Sequence, residues 1–253
     1  MCVIIIIPQG ETITKDELRK AWNTNPDGAG YATLKNNKVM YHRGFMDFHP
    51  FYREIQHKIG REDIILHFRI TTSNTVNRTQ THGYELGNKK RLKGITSNPV
   101  LFMNGVISGY NYRKGFNDTM EYIDEHSQAF RIINDTGSAD LLDIIEDATG
   151  SRWAMLTTEG VIHSHGFTKQ NGRYYSNTNH LFDFGSNKWE LSRSELLPKQ
   201  LNRKLNRKEN RKLRTNTMDF IKWYCNNGGC WYCDDCITGV QTLNELEEFL
   251  NSY

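Results

Sequence analysis

MCVIIIIPQG, residues 1–10, places five consecutive aliphatic residues between a cysteine and a proline. An apolar run without polar alternation predicts a strand buried on both faces, and Pro8 ends it. Cys2 stands at the mouth of that strand, directly behind Met1. Removal of Met1 leaves a thiol and a free α-amine on one residue. An α-amine with a pKa of roughly 7.7 to 8 is partly neutral near pH 7 and takes the proton of an adjacent thiol, so the pair is a nucleophile with its own base. A cysteine in this position also suits a small buried hydrophobe, and the residue alone does not decide between the two.

Working outward, periodicity predicts a helix over residues 15–22 behind the cap Thr14. The glycine-rich NPDGAGYATL (residues 25–34) reads as a turn entering a strand, with NNKVMYHRG (36–44) as its hairpin partner. A helix is expected over 48–59, strands in IILHFRI (64–70) and PVLFMNGVI (99–107), and helices over 119–130 and 139–148. Strands follow in RWAMLTT (152–158), GVIHSHG (160–166) and around RYYSN (173–177). Strands in two groups separated by helices predict an α+β architecture; sheet packed on sheet with helices outside fits the pattern, and so does another α+β layering.

The chain has 253 residues, 37% of them hydrophobic, which suits one large globular domain or one domain with an appendage. Val3–Ile7 is too short for a membrane span and lacks basic residues ahead of it, so neither a membrane segment nor a signal peptide is expected. The net charge of +3 conceals an asymmetry: residues 199–214, bounded by Lys199 and Arg214, hold eight Lys or Arg against Glu209 alone. Their repeat, LNRK-LNRK-ENRK, has a period of four that stacks Arg203, Arg207 and Arg211 on one helical stripe. This segment reads as a solvated connector helix, with a nucleic-acid contact as the alternative.

Three further segments extend the argument from Cys2. HFRITTSNTVNRTQTHGYEL (67–86), LFMNGVISGY (101–110) and KGFNDTMEYI (114–123) follow MCVIIIIPQG and NPDGAGYA in order, with NGRYYSNTNH (171–180) behind them. In order and spacing they resemble the signature set of class II glutamine amidotransferases, members of the N-terminal nucleophile hydrolase superfamily. The resemblance covers about residues 1–185 and is nearest to the stand-alone type common in bacteria and their phages. It implies a four-layer αββα sandwich and glutamine amide hydrolysis by Cys2, with ammonia passed to an acceptor handled by a partner protein. It matches Asn104 and Gly105 to the family's oxyanion pair, Arg69 to the residue that holds the substrate α-carboxylate and Asp118 to the one that holds the α-amine. Thr72 and His82 fall where the family lines the substrate loop. Four positions depart from the pattern: Val3 and Asn74 stand where glycine is usual, Met103 where histidine often precedes Asn-Gly, and Gly83 where proline commonly follows the histidine. A catalytically degenerate fold that binds nucleic acid or a host factor is the alternative.

The other four cysteines, Cys225, Cys230, Cys233 and Cys236, lie within CNNGGCWYCDDC at C-x4-C-x2-C-x2-C spacing. Four thiolates in tetrahedral reach suit a structural zinc ion, and C-x4-C-x2-C also resembles an iron–sulfur ligand set. A metal cluster beside one isolated thiol points to a reducing compartment, and the resemblance implies that this is the cytoplasm of a bacterial cell, with phage origin open. The expected organisation is an amidotransferase-like domain over 1–190, a basic connector over 191–222 and a four-cysteine metal-binding module over 223–253.

Overall fold

The first strand, β1 (Val3–Ile7), is buried along its whole length, as the unbroken apolar run requires. The computed structural model describes residues 2–71, 76–110 and 113–181. All belong to the first of the two units into which the chain divides, Met1–Trp189. The connector at 191–222 and the cysteine module at 223–253 lie outside the described residues.

Helix α1 (Lys15–Thr24) starts where Thr14 accepts a hydrogen bond from the Glu17 N–H at 3.1 Å, with Asp16 and Glu17 in its first turn. Strands β2 (Ala29–Lys35) and β3 (Lys38–Phe45) form the expected hairpin, and Asn36 and Asn37 take φ of 51° and 53° as a tight primed turn requires. Helix α2 (Phe48–Ile55) is shorter than the 48–59 read from the sequence. The amides of Lys58 and Ile59 both return to the Ile55 carbonyl, and Gly60 at φ +79° turns the chain toward β4 (Ile64–Phe68). Strands β5 (Tyr84–Glu85), β6 (Lys93–Thr96) and β7 (Val100–Asn104) follow.

The single helix expected over 119–130 is two, α3 (Asp118–Glu125) and α4 (Ser127–Thr136). His126 breaks them: its backbone leaves the helical region, and its buried ring lies 4.2 Å from that of Tyr122, tilted by 40°, with Nε2 2.8 Å from the Tyr110 hydroxyl. Helix α5 (Ala139–Thr149) and strands β8 (Arg152–Leu156), β9 (Val161–His163), β10 (Thr168–Gln170) and β11 (Arg173–Tyr175) complete a mixed α/β fold. No helix among the described residues is long and apolar enough to cross a membrane.

The strands form two antiparallel sheets, ordered β10-β11-β1-β4-β2-β3-β6 and β5-β7-β8-β9. Alternation along β1 divides the core. Val3, Ile5 and Ile7 pack with Leu18, Ala21 and Trp22 of α1 and Phe48, Phe51 and Ile55 of α2. Ile4 and Ile6 pack with Val100, Phe102, Ala154 and Leu156 of the other sheet. Trp153 of β8 meets Tyr122 and Phe130 of α3 and α4 at 5.4 and 5.3 Å. Every side chain of β1 thus leaves water, which is why the run carries no polar alternation.

Candidate active site

Because β1 runs antiparallel to β4 with Val3 opposite Phe68, Cys2 emerges beside the residues that follow β4. Its partly buried Sγ lies 3.4 Å from both backbone polar groups of Ile70, donating to the carbonyl and accepting from the N–H. Burial pushes the thiol pKa up, and the Ile70 backbone and the Arg69 charge pull against it without reversing it.

The segment after β11 ties Cys2 to the end of β7. Asn177 Nδ2 donates to the Cys2 carbonyl at 2.6 Å, and Ser176 Oγ accepts from the Ile4 N–H at 2.8 Å and from Asn104 Nδ2 at 2.8 Å. The expected nucleophile and the expected oxyanion donor are therefore held by consecutive residues, Ser176 and Asn177. Asn104 Oδ1 is buried without a partner among the described residues. Ser176 uses one of the two Nδ2 protons.

Arg69 is 7% exposed. Its Nη2 donates to Thr71 Oγ1 at 3.0 Å and Gln80 Oε1 at 3.1 Å, both neutral acceptors, and its buried Nη1 has no partner among the described residues. No carboxylate pairs with Arg69 among the described residues. Asp27, from the NPDGAG turn, accepts the Thr71 N–H at 2.7 Å and fixes the chain just past the arginine. The Gln80 carbonyl accepts from the Tyr84 hydroxyl at 2.9 Å, and Asn117 Nδ2 donates to that hydroxyl at 2.8 Å. Asn117 also caps α3 through Met120 N–H at 2.9 Å, which places Asp118 at the helix start. Asp118 accepts from Ile107 N–H at 2.9 Å and from the Thr119 N–H at 2.8 Å and hydroxyl at 3.4 Å, holding the loop that leaves Asn104 and Gly105.

His82 lies deeper than a loop lining implies: it is 6% exposed, stacks on His67 at 4.1 Å, and its Nδ1 accepts the Met103 N–H at 3.3 Å. It thereby braces the residue preceding Asn104. Burial lowers both imidazoles, His67 to about 3 and His82 well below its ordinary value, so both are neutral. The loop carrying Gln80 and His82 is gripped from beneath by Arg43, whose fully buried guanidinium donates to the carbonyls of Thr79, Thr81, Lys89 and Arg91. Sequence reasoning missed Arg43, although its offsets of two residues from Tyr41 and four from Val39 put it on their inward face.

Gly105 has a packing reason beside any catalytic one: a Cβ there would lie 2.1 Å from Ser151 Oγ. Gly83 sits at φ +111°, which proline's ring forbids, so the local backbone accounts for that departure. Val3 fills the core against α1 and α2. Thr72, Asn74, Cys225, Cys230, Cys233, Cys236 and the basic segment at 199–214 lie outside the described residues. Among the described residues no group of three His, Cys, Asp or Glu side chains forms a metal site. No family model and no curated protein matches the chain.

Proposed function

We propose that the chain is an N-terminal-cysteine amidohydrolase acting on glutamine or a related amide, built on an αββα sandwich of the N-terminal nucleophile hydrolase type. The observation that carries this reading is the buried Arg69 guanidinium, whose Nη1 has no partner among the described residues and which stands one residue from the backbone that contacts the Cys2 thiol. A buried cation without a counter-ion favours an anionic ligand, and a free α-carboxylate has the right charge and shape. The α-amine of the same substrate finds Asp118 across the network of Gln80, Tyr84 and Asn117.

Once Cys2 is N-terminal, its amine takes the thiol proton and the thiolate attacks the amide carbon. Charge develops on the amide oxygen, where Asn104 Nδ2 and the Gly105 N–H are the donors. The ammonium proton passes to the departing nitrogen, the C–N bond breaks, and ammonia leaves a thioester on Sγ. Water then attacks the thioester with the α-amine as base, releasing the carboxylate product and the thiol. While a residue precedes Cys2, that nitrogen is an amide and the buried thiol keeps its proton, so the unprocessed chain is inert.

The test is ammonia release from L-glutamine by protein with a free Cys2 amine, against Cys2→Ala. Release that disappears in Cys2→Ala supports the reading; equal release by both proteins removes Cys2 from it. We further propose that Cys225, Cys230, Cys233 and Cys236 hold a structural zinc ion and that ammonia is consumed by a partner protein.

A further inference from the structure

We infer that Gln80 is a specificity-determining residue, whose Nε2 joins Arg69 Nη1 in a two-donor cradle for the substrate α-carboxylate. The inference rests on the amidohydrolase reading and adds a residue and a selection rule to it.

Arg69 Nη2 can donate only to the carbonyl end of the Gln80 side chain, and the bond at 3.1 Å fixes that end as Oε1. The two Nε2 protons are thereby turned away from the guanidinium, and no described residue accepts from them. Gln80 is not needed there as an anchor, because its backbone already serves as one: its N–H donates to Asn77 at 3.0 Å and its carbonyl accepts from Tyr84 at 2.9 Å. Neither the backbone bonds nor the bond to Arg69 uses the side chain's Nε2 protons. Its neutrality matters as much as its donors. A glutamate of nearly the same shape would neutralise Arg69 from within, whereas glutamine holds the guanidinium in place and leaves its charge for the ligand. The cradle therefore selects amides bearing a free α-carboxylate and rejects those in which it is capped.

The experiment compares L-glutamine with L-glutamine α-amide, in which the carboxylate is replaced, using the full chain with a free Cys2 amine. Gln80→Met keeps the length and removes the donors; Gln80→Glu keeps the shape and adds the charge. With L-glutamine, KM should rise roughly tenfold in Gln80→Met and roughly a hundredfold in Gln80→Glu, with kcat little changed. With the α-amide, both variants should match the parent, so the parent's preference for glutamine shrinks. Equal KM increases on both substrates would make Gln80 a loop anchor and overturn the inference. So would an unchanged KM for glutamine in both variants, and either result leaves the amidohydrolase reading standing. Parent protein that releases ammonia from neither substrate would bring down that reading and this inference together.

Discussion

Asn104 Nδ2 lies 2.8 Å from Ser176 Oγ, and this one contact joins the end of β7 to the segment that holds Cys2. The hydroxyl also takes the Ile4 N–H at 2.8 Å, so the position of Asn104 is set against the strand that delivers the nucleophile. Asn104→Ala should lower kcat by roughly 10²-fold, the scale of one lost oxyanion donor. Ser176→Ala should lower it by less and leave KM near the parent value, because Asn104 is loosened and not removed. Steady-state kinetics decide this, and a kinetically silent Asn104→Ala would dismiss the oxyanion role.

Arg43 should be irreplaceable by lysine. Four backbone carbonyls converge on a planar fork that an ammonium cannot reproduce. Arg43→Lys should cost at least about 2 kcal/mol of stability, since buried carbonyls lose their donors. Hydrogen exchange should accelerate over residues 78–92 ahead of the β1 and β4 amides. Unchanged protection in that loop would contradict the role.

The stability of the folded domain should fall in mild acid. His67 is fully buried with a pKa of about 3, His180 has one of about 4, and His82 is also depressed. An unfolded histidine titrates near about 6.5, so between these values the unfolded chain binds more protons than the folded one. Stability is complete above about pH 6.5 and declines as the pH falls toward the folded values. At pH 5 the term from His67 alone is roughly 2 kcal/mol. Urea unfolding at pH 7 and pH 5 should show the drop, and His67→Leu should reduce it. An equal drop in the variant would assign the acid sensitivity elsewhere.

Purified protein should contain about one zinc per chain, because residues 223–253 are too few to build an adequate core without a staple. Chelation should remove the metal and leave ammonia release intact, since no metal enters the Cys2 chemistry. Elemental analysis beside the activity assay tests both halves. Stoichiometric iron with visible absorbance would replace zinc by a cluster, and activity lost with the metal would contradict the separation.

Much of the scaffold was legible because it follows from local rules. The apolar run at Val3–Ile7, the Thr14 cap and the Asn36-Asn37 turn each determine their element with few competitors. The helix expected over 119–130 failed at His126, where contacts with Tyr110 and Tyr122 override a helical period. For the candidate site, motif order singled out Cys2, Arg69, Asn104 and Asp118 as expectations. Ser176, Asn177 and Gln80 were not singled out, since their contacts depend on which group each meets across 172, 175 and 11 residues of chain. His82 was read as a loop residue, and its stacking on His67 emerges only when β4 and the following loop are brought together.

In the proposed reaction Cys2, with a free amine, is the nucleophile. Intact-mass analysis before and after incubation with a glutamine-analogue electrophile, followed by peptide mapping, tests it directly. The account predicts a chain beginning at Cys2 that gains one adduct, located on Cys2 and absent from Cys2→Ala, while protein retaining Met1 stays unmodified. An adduct on Cys2 of the Met1-bearing chain, or a Cys2-initiated chain that hydrolyses glutamine without modification at Cys2, would contradict it.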